Sequence, residues 1–176
     1  KDYSTTIGCN SHYGIVSNGS TLFFTGYDGI YAIGAIGSSD KIVGGTSLIK
    51  LSQEKINTFW NTLIRSTIGI FCGVHDIENH CVRWSVRRQG VAFNDREIVF
   101  DYHENVMGFH KTVGRNISCY AIGRDTNGKW EVKYGDSVNG LIYKLDSGTT
   151  DDGTAISGTI ETKAYDFGRP DLAKKF

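Results

Sequence analysis

Tight-turn dipeptides that precede short runs of β-forming residues constrain this chain more than any other feature. Asn139-Gly140 precedes the run LIYKL at 141–145, and Asp152-Gly153 precedes a longer run at 155–167. Asn, Asp and Gly accept the positive φ angles of hairpin turns, so these pairs before β-rich runs are strong hairpin signals. We therefore predict that antiparallel hairpins are the building unit of the fold.

The same pattern recurs along the chain. The composition agrees with it, since the chain has 22 glycines, one proline and 12% aromatic residues, which suits many short strands joined by tight turns. The further predicted strands are 13–16, 22–25, 30–33, 68–74, 80–86, 97–102, 106–109, 116–123 and 130–134.

One helix is predicted, over residues 51–64. Ser52 is its expected N-cap, and the apolar residues that follow have helical spacing. Residues 38–50, which precede it, are predicted to form a loop. The apolar residues of the expected helix are Ile56, Phe59, Trp60 and Leu63.

A weak internal repeat indicates the architecture. Asp28-Gly29-Ile30-Tyr31 matches the segment 139–143, and a middle unit at 75–86, with Trp84 in place of the tyrosine, divides the interval. Periods of about 40–55 residues with three or four strands each are typical of β-propeller blades. We predict an all-β, β-propeller-like fold of antiparallel meander blades with one short helix. A β-sandwich is the alternative, which explains the turns but not the repeat.

The domain prediction follows from this repeat. Residues 1–168 are expected to form a propeller-like β domain that is part of a larger propeller, because about three and a half units are counted and complete propellers have at least four. Residues 169–176 are expected to be a terminal tail or the start of a further element.

The cysteines show no metal or redox spacing, since none forms a CxxC pair. We predict that they are buried free thiols that pack as small apolar groups. They are Cys9, Cys72, Cys81 and Cys119.

One predicted hairpin contains Cys72, His75, His80 and Cys81. On a strand, Cys72 and His75 have opposite parity, as do His80 and Cys81, so their side chains point to different sides. We therefore predict no metal at this hairpin, and no cofactor elsewhere in the chain.

The acidic turn at Asp146, Asp151 and Asp152 is the other candidate for a cation, since Ca²⁺ prefers carboxylates and carbonyls. The segment TTDDGTAI at 149–156 partly resembles the Asp-box turn of sialidase-type propellers, with Ala155 and Ile156 in place of its last two residues. In that family the Asp bonds backbone N–H groups. The spacing is not that of an EF-hand loop. We interpret it as a structural turn.

Charge and motifs argue against several functions. The formal net charge is zero, so strong general attraction to nucleic acid is not expected. Arg83, Arg87 and Arg88 flank Trp84 and form the only basic cluster, which we interpret as a solvated strand end. The sequence has no G-x-S-x-G, P-loop or dinucleotide motif. We predict a protein that is not an enzyme, without catalytic residues.

Three segments resemble the β-propeller virion proteins of short-tailed bacteriophages, which include tail hub or adaptor, nozzle and packaged-DNA-stabilisation proteins. The first combines IGC at 7–9, SHYGIV at 11–16 and LFFTGYDGIY at 22–31. The second is IVFDY at 98–102. The third combines GLIYKLDSGTTDDGTAI at 140–156 with TKAYDFG at 162–168. The resemblance covers most of the chain in order, through short and mostly structural motifs.

The resemblance implies a structural or interaction component of a phage virion tail, assembled in the host cytoplasm. Such a protein docks neighbouring tail proteins around the DNA-exit path, as a homo-oligomeric ring with weak contact to exiting DNA. No membrane-spanning segment is expected, because no apolar run approaches the ~20 residues that a span needs. The resemblance supplies no catalytic residues.

Three other functions remain open at this point. A carbohydrate- or receptor-binding propeller at the tail tip would place Trp60, Trp84, Trp130 or tyrosines in one groove. A sialidase-like glycosidase would bring three arginines to a Tyr–carboxylate pair. A cellular propeller scaffold is the third.

Overall fold

A computed structural model describes residues 7–34, 48–53, 55–65, 70–103 and 107–148, and the strand residues 150–151 and 154–155. The fold is all-β with one short helix, as predicted from the sequence, and its three main sheets are antiparallel meanders. The first sheet consists of β1 (Val16–Ser17), β2 (Thr21–Thr25), β3 (Ile30–Gly34) and β4 (Leu48–Lys50). The second consists of β5 (Cys72–Asp76), β6 (Cys81–Val86), β7 (Arg96–Asp101) and β8 (Gly108–Val113). The third consists of β9 (Ile117–Arg124), β10 (Trp130–Asp136) and β11 (Ile142–Lys144).

The predicted turn chemistry forms the hairpins. Between β1 and β2, the Asn18 side-chain oxygen accepts the backbone N–H of Thr21 at 2.8 Å, and Gly19 has a φ of +97°. Between β10 and β11, the Asp136 carboxylate accepts the N–H of Val138 at 2.7 Å. Gly140 there has a φ of +72°. Both hairpins predicted from Asn-Gly pairs are confirmed.

The predicted helix over 51–64 is wrong in length. The α-helix α1 spans only Asn57–Trp60, and Ser52 is not its N-cap. Instead, the Ser52 hydroxyl is buried and accepts the backbone N–H of Ile30 at 3.0 Å. Leu63 forms an isolated β-bridge with Arg88. The two ends of this segment therefore bond to neighbouring parts of the chain instead of extending the helix.

The loop predicted at 38–50 is wrong at its end. Residues 48–50 form β4, which pairs antiparallel with β3. Residues 38–47 lie outside the described part of the chain, as do residues 68 and 69 of the predicted strand 68–74. The register places Ile49 opposite Ala32, so the first sheet has four strands like the second.

The second sheet lies between the other two and is covered on both faces. All six residues of β6 are buried. Val82, Trp84 and Val86 of β6 belong to a hydrophobic cluster shared with the first sheet, and Cys72 and Val74 of β5 belong to one shared with the third sheet. The first cluster includes Phe23, Ile30, Trp60, Val82, Trp84, Val86, Ile98 and Phe100. The second comprises Cys72, Val74, Ile117, Val132, Tyr134 and Leu145.

The first strands of the three sheets lie next to one another, since β5 contacts both β1 and β9. The repeat is confirmed at its ends, because the Gly-Ile-Tyr segments precede or form β3 and β11, the third strands of their sheets. Its predicted middle copy at 75–86 is wrong, because those residues form β5 and β6. The third strand of the middle sheet is β7.

Residues 146–176 form a separate compact unit. Its described part is a ladder of β12 (Thr150–Asp151) and β13 (Thr154–Ala155), which pair antiparallel. The turn expected at Asp152-Gly153 and most of the predicted run 155–167 lie outside the described residues. No helix in the described ranges has the length and apolar composition that a membrane crossing requires.

Candidate functional site

The hairpin with two cysteines and two histidines does not bring them together. Cys72 and Cys81 are buried, and burial raises the pKa of each thiol to about 12. The His75 ring lies 2.6 Å from the Tyr102 hydroxyl. His80 is exposed, with a φ of +50°. Among the described residues, no three His, Cys, Asp or Glu side chains are grouped to hold a metal ion.

The prediction that all four cysteines are buried is wrong for two of them. All four are free thiols, but Cys9 and Cys119 are exposed. The Cys9 thiol donates to the Ser11 carbonyl at 2.7 Å in the lead-in to the first sheet. Cys119 lies in β9, where most side chains are exposed. Sequence context alone did not distinguish these positions from Cys72 and Cys81.

Of the three aspartates of the acidic turn, only Asp146 has a side chain among the described residues. Asp146 adopts a φ of +48° just after β11, which fits the turn interpretation. The side chains of Asp151 and Asp152 lie outside the described residues, so the candidate cation site is untested.

The prediction that the basic cluster of Arg83, Arg87 and Arg88 is a solvated strand end is wrong for Arg83. Its side chain is buried within β6, where Nε lies 2.9 Å from an Asp76 carboxylate oxygen. Arg88 is paired with Asp95 at 2.7 Å, and Arg87 donates to the Ala92 carbonyl at 3.0 Å. Arg83 is internal because neighbouring sheets cover both faces of β6, whereas Arg87 and Arg88 follow this strand and are partly exposed.

Arg83 belongs to a buried ion cluster, defined here as Asp76, Arg83, Glu97, Arg115 and Tyr120. One Glu97 oxygen accepts the Tyr120 hydroxyl at 2.9 Å. The other lies 3.3 Å from an Arg115 nitrogen and 3.5 Å from an Arg83 nitrogen. The Glu97 side chain is 1% exposed and that of Arg115 is 24% exposed. The cluster joins β5, β6 and β7 of the second sheet to β9 and the segment before it.

The charges of the buried ion cluster balance, because two carboxylates face two guanidinium groups. Burial, followed by the charge of Glu97, raises the pKa of Tyr120 well above its usual value, so this phenol stays protonated and donates. The arrangement holds two sheets together and leaves Glu97 with partners on both oxygens. The available sequence signal was a charged residue, Glu97, at the start of the apolar run IVF.

The tryptophans proposed for a binding groove are mostly internal. The Trp84 indole donates to the Gly14 carbonyl at 2.9 Å and the Trp60 indole to the Tyr27 carbonyl at 3.1 Å; both rings are buried. Trp130 is partly exposed, with the Arg124 guanidinium 4.4 Å from its ring centroid. Trp60 and Trp84 therefore line no surface groove.

The third sheet carries the most exposed apolar hairpin among the described residues. Val138 and Leu141 lie at its turn, and Ile142 lies in β11 with 77% of its surface exposed. In the same two strands, the carboxylate of Glu131 in β10 is paired with Lys133 of β10 at 2.8 Å and with Lys144 of β11 at 2.6 Å. Exposed apolar side chains grouped in this way can form a protein-contact surface.

The fold and these sites define an all-β protein with a neutralised interior and an exposed apolar hairpin. No protein-family model and no curated protein sequence matches the chain.

Proposed function

We propose that this protein is a non-enzymatic structural component of a phage virion tail, of the hub, adaptor or nozzle type, built as a β-propeller-like domain. The observation that carries the proposal is the stacking of three antiparallel meanders in chain order, with their first strands adjacent. This arrangement supports the resemblance drawn from residues 7–31, 98–102 and 140–168.

The stacking favours propeller blades over a β-sandwich. In a two-layer sandwich each sheet has one inner face and one outer face. In a propeller, blades stack around an axis and an inner blade has neighbours on both faces. The middle sheet here has the second arrangement, since Trp84 packs toward the first sheet and Val74 toward the third.

A docking role fits the distribution of charge and apolar surface. The ionic groups of the buried ion cluster neutralise one another, and three exposed apolar side chains, Val138, Leu141 and Ile142, lie together at the hairpin of β10 and β11. The partners we propose are neighbouring tail proteins and further copies in a ring on the DNA-exit path. A net charge of zero suits a channel that contacts passing DNA only weakly.

Localisation in the particle tests the proposal. Purified virions from the source would be analysed by mass spectrometry, and immunogold labelling against this chain would locate it by electron microscopy. We expect several copies per particle at the tail. The proposal fails if the protein is absent from purified particles or labels only the capsid shell.

A sialidase-like glycosidase is the second candidate, because Arg83 and Arg115 converge on the pair Glu97–Tyr120. The hypothesis requires three arginines that bind a substrate carboxylate, whereas these two bind Glu97 in a buried site. Substrate would have to displace Glu97. Release of the fluorophore from a fluorogenic sialoside, lost in Tyr120→Phe but kept in the surface variant Tyr13→Phe, would establish this candidate; no release would eliminate it.

A further inference from the structure

Two histidine rings lie side by side at one end of the second sheet. His80 immediately precedes β6, at the end of the turn from β5, and His103 follows the end of β7. Their ring centroids are 5.1 Å apart, and the ring planes are tilted by 53° to each other. Both residues are exposed. The rings come from two different connections of the sheet, so the spacing within one hairpin could not have predicted their contact.

Backbone contacts hold the two histidines next to each other. His80 has a φ of +50°, a left-handed conformation that histidine adopts more readily than most residues, and its carbonyl accepts the N–H of Tyr102 at 3.3 Å. The N–H of His103 donates to a carboxylate oxygen of Asp101 at 2.8 Å. The register pairs Cys81 with Asp101, so the strands that carry the two rings are hydrogen-bonded neighbours. The closeness of the rings therefore follows from the register of the sheet.

Paired imidazole rings at this distance suit a transition-metal ion. Histidine is the commonest metal ligand in proteins and binds through a neutral ring nitrogen. Two nitrogens bound at about 2.1 Å to one tetrahedral zinc ion lie about 3.4 Å apart. Rings whose centroids are 5.1 Å apart can reach this spacing by small side-chain rotations, which exposed side chains make rapidly. The Asp101 carboxylate beside His103 adds a negative charge, which favours a cation.

We propose that His80 and His103 bind one divalent transition-metal ion, such as Zn²⁺, through one ring nitrogen each. Imidazole ligands select zinc, copper and nickel, whereas Mg²⁺ and Ca²⁺ prefer oxygen ligands. Water completes the coordination, and a third ligand from the protein would strengthen the site but is not required. The sequence-based prediction of no metal at the hairpin 72–81 considered only ligands within that hairpin, and His103 lies outside it.

A bound ion would link the turn between β5 and β6 to the end of β7. The folded chain holds the two rings together, whereas the unfolded chain does not, so the ion binds the folded state preferentially. Such binding stabilises the fold by mass action, and zinc should therefore raise the midpoint of thermal unfolding. The inference goes beyond the virion proposal and does not depend on it, because it depends only on the contact between His80 and His103.

Isothermal titration calorimetry with zinc chloride at neutral pH tests the site. The full chain carries Cys9→Ser and Cys119→Ser, which remove the two exposed thiols, because thiolates also bind zinc. We expect one zinc ion per chain and no binding of magnesium chloride. His103→Gln and His80→Asn should each weaken zinc binding about tenfold or more, since the loss of a ligand costs at least as much as the loss of its supporting partner. Asparagine is chosen at position 80 because it accepts a positive φ.

The matched controls are His12→Gln and His110→Gln, which remove two other exposed histidines. Both should bind zinc like the parent chain and keep its thermal stabilisation by zinc, and far-ultraviolet circular dichroism should show all variants folded. The inference is overturned if the parent chain binds no zinc at millimolar concentration. It is also overturned if His103→Gln and His80→Asn leave binding intact, or if a control weakens binding equally. None of these outcomes bears on the presence of the protein in virions.

Discussion

Replacement of Glu97 by Gln tests whether the buried ion cluster holds the second and third sheets together. The substitution keeps the size of the side chain but removes its charge. The Gln oxygen still accepts from Tyr120, whereas Arg115 and Arg83 lose an anionic partner at 3.3 and 3.5 Å. Arg83 retains Asp76 at 2.9 Å. The cluster as defined then changes from a net charge of zero to one net positive charge.

Removal of one member of a buried ion pair costs about 3–5 kcal/mol. We expect about 3 kcal/mol for Glu97→Gln, at the low end of that range, because Arg83 keeps Asp76 and Arg115 is partly exposed. With a denaturant slope of about 2 kcal/mol per molar urea, the unfolding midpoint should fall by about 1.5 M. The assay is urea unfolding followed by tryptophan fluorescence, since Trp84 lies in the same sheet.

Glu131→Gln is the matched control, because Glu131 also binds two cations, but its partners Lys133 and Lys144 are 50% and 45% exposed. Its midpoint should change little, since exposed ion pairs contribute little to stability. A loss below about 0.5 M for Glu97→Gln would refute the reasoning, as would an equal loss in both variants. Either result would mean that Glu97 is not a buried link between sheets.

Three further predictions concern packing and titration. A Cβ at Gly73 would lie 2.6 Å from a methyl carbon of Val16 and 2.8 Å from an indole carbon of Trp84. Gly73→Ala should therefore destabilise the fold by about 1–3 kcal/mol. Gly108 has open space around it, so Gly108→Ala should not destabilise the fold, and thermal unfolding of the two variants makes the comparison. Burial lowers the pKa of His75 in the folded chain. Below about pH 6.5 the unfolded chain therefore binds more protons than the folded chain, and the free energy of unfolding decreases as the pH decreases. Urea midpoints should drop between about pH 7 and pH 5, and a smaller drop is expected in His75→Gln; an identical drop would contradict this. Because Cys72 and Cys81 are buried with raised pKa values, iodoacetamide should label only the two exposed cysteines of the native chain, as mass spectrometry of its peptides would show; fast labelling of all four would contradict the packing.

Local signals in the sequence predicted most of the strands. The predicted strand 13–16 is wrong except at Val16, because His12–Gly14 form a short 3-10 helix and β1 begins at Val16. The Asn18-Gly19 and Asn139-Gly140 turns form as expected, because the φ preferences of Asn and Gly act over four residues and need no distant partner. The all-β class follows from the same signals. The segment 51–64 shows their limit, since Ser52 bonds to Ile30 of a neighbouring strand instead of capping a helix.

The environment of side chains was harder to predict. Arg83 and Trp84 looked like parts of an exposed basic and aromatic cluster, yet both are buried because a sheet covers each face of β6. The partners of Arg83 come from β5 and β7, Tyr120 reaches the cluster from β9 of the third sheet, and Arg115 from the segment before β9. No sequence spacing encodes those contacts.

The sequence by itself determined the hairpins, the all-β class and the approximate period of the meanders, because turn residues and β-forming runs act locally. Only the tertiary structure decided that the middle sheet is buried on both faces and that Glu97 balances Arg83 and Arg115. These features depend on which sheets stack and in what register. That choice is made by the summed burial of apolar faces, to which each single strand contributes only a part.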